Sequence, residues 1–243
     1  MTEVMLPMAL VEQRSRDRPS NDLAPVGRVG LDRWILDVAA GRAAIAAALD
    51  DASRALGPGP VLCDRMRRVL DEGRAALERR FRADGNGVAD AAAHADLMDS
   101  VLGGALDFAE RHLYPIANPT RGEELAVIAV GGYGRRELAP HSDIDILFLY
   151  PYKPTPRLEQ MAEFLLYRLW DLGLKVGQST RSLNECIKLA RQDLTILTTL
   201  LETRLLWGSQ RLADELESRF RNDVCRRNES SFIEAKLAER DAR

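Results

Sequence analysis

Apolar residues recur with a helical period over three stretches in the first half of the chain. A spacing of three and four residues places such side chains along one side of a helix. The pattern predicts helices from Asp32 to Leu56, from about Pro60 to Asp84, and from about Val88 to Leu113. Because each helix carries an apolar stripe, we expect them to pack on one another or on the following domain as a helical layer.

The pattern changes at Leu125, where short runs rich in β-branched residues alternate with further helical periods. Buried strands are predicted for LAVIAV from Leu125, for Ile144–Tyr150 and for Leu174–Ser179. A helix from about Thr155 to Gly173 separates the last two strands. These elements predict an α+β fold, with a small mixed sheet flanked by helices.

Two cap signals follow the third predicted strand. Ser182 and Glu185 have the spacing of a capping box, so a helix should begin at Leu183. Asp193 is expected to cap the next helix, which the apolar pattern extends to Gly208.

The chain divides into four regions on these patterns. Residues 1–30 are expected to form a mobile tail, since proline, glycine and scattered charges show no sustained period there. Residues 31–120 are predicted to form the helical N-terminal layer, and residues 121–208 the α+β core. Residues 209–243 are charged and predict a helical extension.

The composition is that of an ordinary globular protein, with 46% hydrophobic and 29% charged residues among 243. A formal net charge of -3 argues against a nucleic-acid partner, which usually requires a strongly basic face. Cys63, Cys186 and Cys225 lie far apart and lack metal-ligand spacing, which favours a reducing compartment. Since no export signal or long apolar run is visible, we expect a cytoplasmic protein without a membrane partner.

The candidate chemistry lies in the segment VGGYGRRELAPHSDIDILFLY, from Val130 to Tyr150. Residues i and i+2 of a strand face the same side, so Asp143 and Asp145 are expected to project together. Their negative charges repel unless a hard cation lies between them, and magnesium prefers a few carboxylates together with substrate phosphate oxygens. We therefore predict that these two aspartates are catalytic and bind Mg²⁺.

The residues before the aspartates are suited to a nucleoside triphosphate. Gly131 and Gly132 follow a strand, where the missing side chains let backbone N–H groups approach a polyphosphate. Arg135 would complete the charge clamp, and Ser142 is a further candidate nucleotide-binding residue. Each feature alone also fits an ordinary turn or helix cap, but their order and close spacing favour a phosphate site.

The segment resembles the nucleotidyltransferase superfamily that includes DNA polymerase beta, in which a double small residue precedes a D-x-D strand. The motif GGYGR-x-EL-x-P-x-SDID more closely resembles the protein-PII uridylyltransferase family. WDLGLKVGQSTRS at Trp170–Ser182 and DLTILTTLLETRLLWG at Asp193–Gly208 continue that resemblance, which covers roughly residues 125 to 210. It implies that UTP is the substrate, that a tyrosine of the PII nitrogen-regulatory protein is the acceptor, and that pyrophosphate leaves.

The sequence departs from the family pattern at two points. Arg136 stands where the family usually has glycine. The superfamily commonly adds a third acid from a neighbouring strand, yet the third predicted strand contains none. Asp171, Asp193 and Glu202 are the nearest candidates for that third acid.

Four further residues outside the motif are assigned to nucleotide contact or to the core. Ser179 and Arg181, beside the D-x-D strand, are candidates for contact with the nucleotide sugar or phosphates. Trp170 and Trp207 fall at the ends of apolar stripes and are predicted to be core anchors.

Three functional hypotheses remain open on these observations. The first is uridylyl transfer from UTP to PII, and the second is a related nucleotidyltransferase with another acceptor. The third is a catalytically silent, nucleotide-binding regulatory fragment, since full-length members of the resembled family also carry HD-type hydrolase and ACT domains. The sequence shows neither of those domains.

Overall fold

The computed structural model describes residues 60–225 and, before them, the helical backbone of Ala43 and Ala47. The predicted tail at 1–30 lies outside the described residues, as does most of the predicted helix at 32–56. The last part of the predicted extension, residues 226–243, also lies outside them.

Seven α-helices and four strands follow one another in residues 60–225. They are, in chain order, α1 (Pro60–Asp84), α2 (Gly87–Phe108), β1 (Ala126–Ala129), α3 (Gly131–Gly134), β2 (Ile144–Tyr150), α4 (Pro156–Asp171), β3 (Val176–Ser182), α5 (Leu183–Ala190), α6 (Leu194–Leu201), β4 (Arg204–Gly208) and α7 (Gln210–Phe220). Short π-helical turns extend α2 over Ala109–Leu113 and α7 over Arg221–Cys225, and a 3₁₀ turn covers Arg121–Glu123. Within residues 60–225, no helix is both long and apolar enough to cross a lipid bilayer.

The strands form a mixed sheet in the order β3-β2-β1-β4. β1 pairs antiparallel with both β2 and β4, whereas β2 pairs parallel with β3. The register places Ile146 opposite Ala129 and Asp145 opposite Gly177. The predicted α+β fold with a small mixed sheet is therefore confirmed.

Helices cover both faces of the sheet. Ile144, Ile146 and Phe148 of β2 join one core with residues of α1, α2 and α4, so the N-terminal helices share this core with the sheet. Leu147 and Leu149 point to the other face and pack with residues of α5, α6 and α7. By the alternation of a strand, Asp145 belongs to this second face, at the end of β2 where the apolar packing stops.

Several predicted elements are confirmed at or near their predicted ends. The helices at Pro60–Asp84 and from Gly87 match the two described N-terminal helices, and Ile144–Tyr150 has its predicted bounds. Ser182 and Glu185 form the capping box of α5, and the Asp193 carboxylate accepts from two backbone N–H groups in the first turn of α6.

Two predicted elements were wrong in extent or type. The third strand runs from Val176 to Ser182 rather than from Leu174 to Ser179. The helix predicted to reach Gly208 ends at Leu201, and Arg204–Gly208 is strand β4. This apolar stretch forms a strand because it pairs with the edge of β1, a contact between segments far apart in the chain that outweighs local helical pattern.

Candidate active site

The predicted phosphate-binding glycines form the short helical turn α3, which directly follows β1 and which we call the glycine turn. Val130 is extended and donates its backbone N–H to the carbonyl oxygen of Asp145 at 3.1 Å, so the turn starts beside β2. Gly131 has a φ of +61°, a left-handed conformation that favours glycine. As first residues of a helical turn, Gly131 and Gly132 have N–H groups without an intrahelical acceptor.

The two predicted catalytic aspartates lie at the start of β2, next to the glycine turn. Asp145 is half-buried as the second residue of the strand, whereas Asp143 is exposed and just precedes it. Burial raises the pKa of Asp145, and the negative charge of Asp143 raises it further. The structure thus brings the two carboxylates close enough for their charges to interact.

The donor set of these two residues fits a hard divalent cation. Neither carboxylate forms an ion pair or hydrogen bond with any residue in the described part of the chain. Residues 60–225 contain no cluster of three or more His, Cys, Asp or Glu side chains able to hold a metal. Two free carboxylates suit magnesium in particular, because magnesium commonly takes one or two protein carboxylates and completes its shell with phosphate oxygens and water.

Strand β3, which pairs with β2, carries no third carboxylate of the kind that the superfamily commonly adds, and its position opposite Asp145 is Gly177. The candidates named from the sequence have other partners. Asp171 accepts from Arg168, Asp193 caps α6, and Glu202 pairs with Arg135.

Arg135 lies directly after the glycine turn and is held by two acids. Its guanidinium contacts Glu137 at 2.8 Å and Glu202 at 2.5 Å, with 44% of the side chain exposed. A triphosphate at the turn would have to replace these carboxylates as the partner of Arg135. Arg136 points elsewhere, with both oxygens of Asp96 as acceptors at 2.5 and 2.6 Å, and it adopts a φ of +60°. A left-handed conformation at this position accounts for the glycine that the resembled family usually has there.

A buried polar network under the glycine turn was not predicted from the sequence. The hydroxyl of Tyr133 donates to Asp99 of α2 at 2.7 Å, and both side chains are buried. Arg204 of β4 donates to both carboxylate oxygens of Asp99 and to the backbone carbonyl of Tyr133 at 3.2 Å. Burial, together with the charge of Asp99, holds the pKa of the Tyr133 hydroxyl well above its usual value, so the phenol stays protonated and donates. No local pattern identifies this network, because its members are far apart in the chain.

Of the remaining predicted site residues, one directly precedes the two aspartates and two lie farther along the sheet. Ser142 is exposed in the turn before Asp143. Ser179 and Arg181 are on β3, opposite Leu147 and Leu149, and so lie progressively farther along the strand from Asp145.

The two tryptophans predicted to be core anchors differ in burial. Trp207 is buried and donates its indole N–H to Asp107 at 2.8 Å, as expected of a core anchor. The same prediction was wrong for Trp170, which is 52% exposed and packs edge-on against Tyr167 on the outer side of α4.

Comparison with known proteins gives the chain close relatives. It is 52% identical over 176 residues to a bifunctional uridylyltransferase/uridylyl-removing enzyme of Rhodospirillum rubrum, and this match covers 72% of the chain. It is 49% identical over 184 residues, or 76% of the chain, to the protein of the same name from Azospirillum brasilense. The chain belongs to this family.

The match covers only part of each family member. It spans 19% of the Rhodospirillum rubrum protein and 20% of the Azospirillum brasilense protein, so the chain corresponds to about a fifth of these relatives. A family model, described as glutamate-ammonia ligase adenylyltransferase, matches residues 87–166. That segment contains α2, the glycine turn and both aspartates, so the two comparisons meet on the same candidate site.

Proposed function

We propose that this chain transfers a uridylyl group from UTP to a tyrosine of the PII protein, in a reaction that depends on Mg²⁺. The observation that carries the proposal is the pair of partnerless carboxylates, Asp143 and Asp145, beside the glycine turn in a member of the uridylyltransferase/uridylyl-removing family. In the reaction a bond forms between the tyrosine oxygen and the α-phosphorus, and the bond to pyrophosphate breaks. The proposed site domain is the core at residues 121–208.

Each part of the site has a role in this proposal. Asp143 and Asp145 would hold the magnesium ion, which when bound would supply Lewis-acid polarisation of the phosphoryl oxygens and the acceptor hydroxyl. The N–H groups of Gly131 and Gly132 face the triphosphate, and Arg135 exchanges its carboxylate partners for phosphate oxygens. Ser142, in the turn before Asp143, would contact the same nucleotide. Positioning and electrostatic stabilisation are the chain's main contributions to such a transfer.

Adenylyl transfer is the second candidate function. It is favoured by the match of residues 87–166 to the adenylyltransferase family model. That match covers about a third of the chain, whereas the uridylyltransferase relatives match about three quarters at close to 50% identity. The glycine turn and the aspartates would bind UTP or ATP equally, because they would contact the phosphates and the metal ion and not the base.

The test measures label transfer and pyrophosphate release by the full chain with Mg²⁺. One arm offers α-labelled UTP with PII, and the other offers α-labelled ATP with glutamate-ammonia ligase. Asp145→Asn is compared with Asp214→Asn, the same change at an exposed aspartate of α7. We expect label on PII from UTP, a loss of about a hundredfold or more in Asp145→Asn, and parental rates in Asp214→Asn.

The other outcomes separate the alternatives. Label on the ligase from ATP would favour adenylyl transfer. Binding of triphosphate by a folded chain without transfer to either acceptor would contradict an enzymatic role and favour a nucleotide-binding regulatory fragment.

A further inference from the structure

Gly177 is a glycine whose backbone does not require one. The described glycines with a positive φ are Gly85, Gly131, Gly173 and Gly208, so Gly177 adopts a conformation open to any residue. Its place on β3 is set by the parallel pairing with β2, where it lies directly opposite Asp145. Glycine in a strand interior weakens the strand and often marks a close approach by another group. The absence of a side chain at position 177 is therefore explained by the atoms around it and not by its backbone conformation.

The group that approaches Gly177 is the carboxylate of Asp145. A Cβ atom at Gly177 would lie 2.1 Å from Oδ1 of Asp145 and 3.4 Å from its Cγ. The distance to Oδ1 is far shorter than non-bonded carbon and oxygen atoms tolerate, whereas the distance to Cγ is close to an ordinary van der Waals contact. The carboxylate oxygen therefore occupies the space in which a side chain would lie.

The opposite side of the carboxylate also meets a glycine. A Cβ atom at Gly131, in the glycine turn, would lie 3.7 Å from Oδ2 of Asp145. The carboxylate of Asp145 therefore extends between a glycine of β3 and a glycine of the turn, with Oδ2 on the side of the turn. This orientation presents one oxygen toward the place where a triphosphate would bind.

We propose that Gly177 is a positioning residue that holds the Asp145 carboxylate in this orientation. The inference rests on the proposed function, because the orientation matters only if Asp145 binds a metal ion. A methyl group at position 177 would meet the end of a side chain rather than backbone, so the carboxylate would turn away while the strands keep their pairing. Magnesium requires near-ideal octahedral geometry, and a misplacement of about 1 Å in a reacting group can cost about a hundredfold in rate.

The experiment compares Gly177→Ala with the parent full chain and with Gly122→Ala. Gly122 lies in the 3₁₀ turn, where the nearest atom to an added Cβ is 3.7 Å away, so it tests the glycine-to-alanine change without crowding. We expect Gly177→Ala to lower kcat for Mg²⁺-dependent nucleotidyl transfer by about thirty- to a hundredfold, with an unchanged or higher unfolding temperature. Gly122→Ala should keep the parental kcat.

Combination with Asp145→Asn shows whether Gly177 acts through Asp145. If it does, the double variant should be no slower than Asp145→Asn alone, since the group to be positioned is already lost. A parental kcat in Gly177→Ala, or losses that multiply in the double variant, would overturn the proposal.

A crystal structure of Gly177→Ala decides the question independently of activity. The expected result is a rotated Asp145 carboxylate with the β2–β3 pairing unchanged, whereas an unmoved carboxylate with a displaced β3 would overturn the proposal. If the parent chain transfers no nucleotide to any acceptor, the proposed function fails, and this structural comparison still determines whether Gly177 sets the orientation of Asp145.

Discussion

Gly134, at the end of the glycine turn, lacks a side chain for a different reason from Gly177. A Cβ atom there would lie 1.9 Å from the carbonyl oxygen of Glu202 and 3.0 Å from that of Ala129. Both are backbone atoms of neighbouring elements and cannot rotate away. The residue is therefore needed for packing of the turn against the segment between α6 and β4.

Gly134→Ala is expected to destabilise the protein by about 1–3 kcal/mol, because overpacking forces the backbone to shift. The measurement is urea unfolding, with Gly87→Ala as the control, since the nearest atom to a Cβ at Gly87 is 3.9 Å away. Gly87→Ala should leave stability unchanged or slightly raised. Equal unfolding midpoints for Gly134→Ala and the parent would contradict the packing argument.

At the scale of single elements, α5 shows how a local motif defines a boundary. The Ser182 hydroxyl accepts from the Glu185 backbone N–H at 3.2 Å. One oxygen of Glu185 in turn accepts from the backbone N–H and the hydroxyl of Ser182, each at 2.7 Å. The hydroxyl of Tyr150 on β2 donates to the same oxygen at 3.3 Å, so the cap also joins the helix to the sheet.

Loss of this cap should destabilise the protein measurably. Ser182→Ala is expected to cost about 1 kcal/mol in the free energy of unfolding, the usual effect of removing a helix N-cap. Ser218→Ala, at an exposed position within α7, is the control and should change stability by less than about 0.5 kcal/mol. An equal effect of the two substitutions in urea unfolding would argue against a stabilising cap.

The cap should also make stability depend on pH. Hydrogen bonds from the backbone and side chain of Ser182 lower the pKa of Glu185. A carboxylate whose pKa is lower in the folded state stabilises the fold above its unfolded pKa, and that stabilisation is lost as the pH falls through the folded pKa. The stability difference between the parent and Glu185→Gln should therefore shrink as the pH falls below about 4, in unfolding curves recorded from pH 7 to 3. A stability difference between the two proteins that stays constant from pH 7 to 3 would contradict a stabilising role of the Glu185 carboxylate.

At the scale of the whole molecule, Asp99 links the N-terminal helices to the candidate site. It lies on α2, is 6% exposed, and binds both Tyr133 of the glycine turn and Arg204 of β4. The Nε atom of Arg204 is buried without a hydrogen-bond partner among the described atoms, so the pair is not fully satisfied. Removal of Arg204 would leave the buried charge of Asp99 uncompensated, and removal of Asp99 would leave the partly buried charge of Arg204 uncompensated.

Asp99→Ala is expected to destabilise the protein by about 3–5 kcal/mol, the usual cost of breaking a buried ion pair. Asp107→Ala, which removes the carboxylate that binds Trp207 between the same helix and strand, should cost less, about 1.5–3 kcal/mol. In the double variant Asp99→Ala/Arg204→Met, the cost should be smaller than the sum of the single costs, because no charge is left unpaired. Additive costs in urea unfolding would show that the pair is not coupled.

Residues close together in the chain determine much of this protein. The helices α1, α2, α4 and α5, the strand β2 and the caps at Ser182 and Asp193 follow from short-range periodicity and hydrogen bonds. The order of the glycines and aspartates in one segment likewise points to phosphate and metal chemistry before any contact is known. These features could be predicted because period, capping and local charge act over a few residues.

The features that depend on contacts between distant segments of the chain were determined only by the tertiary structure. It made Arg204–Gly208 a strand, because that stretch pairs with β1. It placed Gly177 beside Asp145 and Asp99 under Tyr133, and it paired Arg135 with Glu202. The residues in each of these contacts lie more than 30 positions apart in the chain. Such contacts follow from strand register and helix packing, which a periodic pattern does not encode, so the surroundings of the predicted site became known only from the fold.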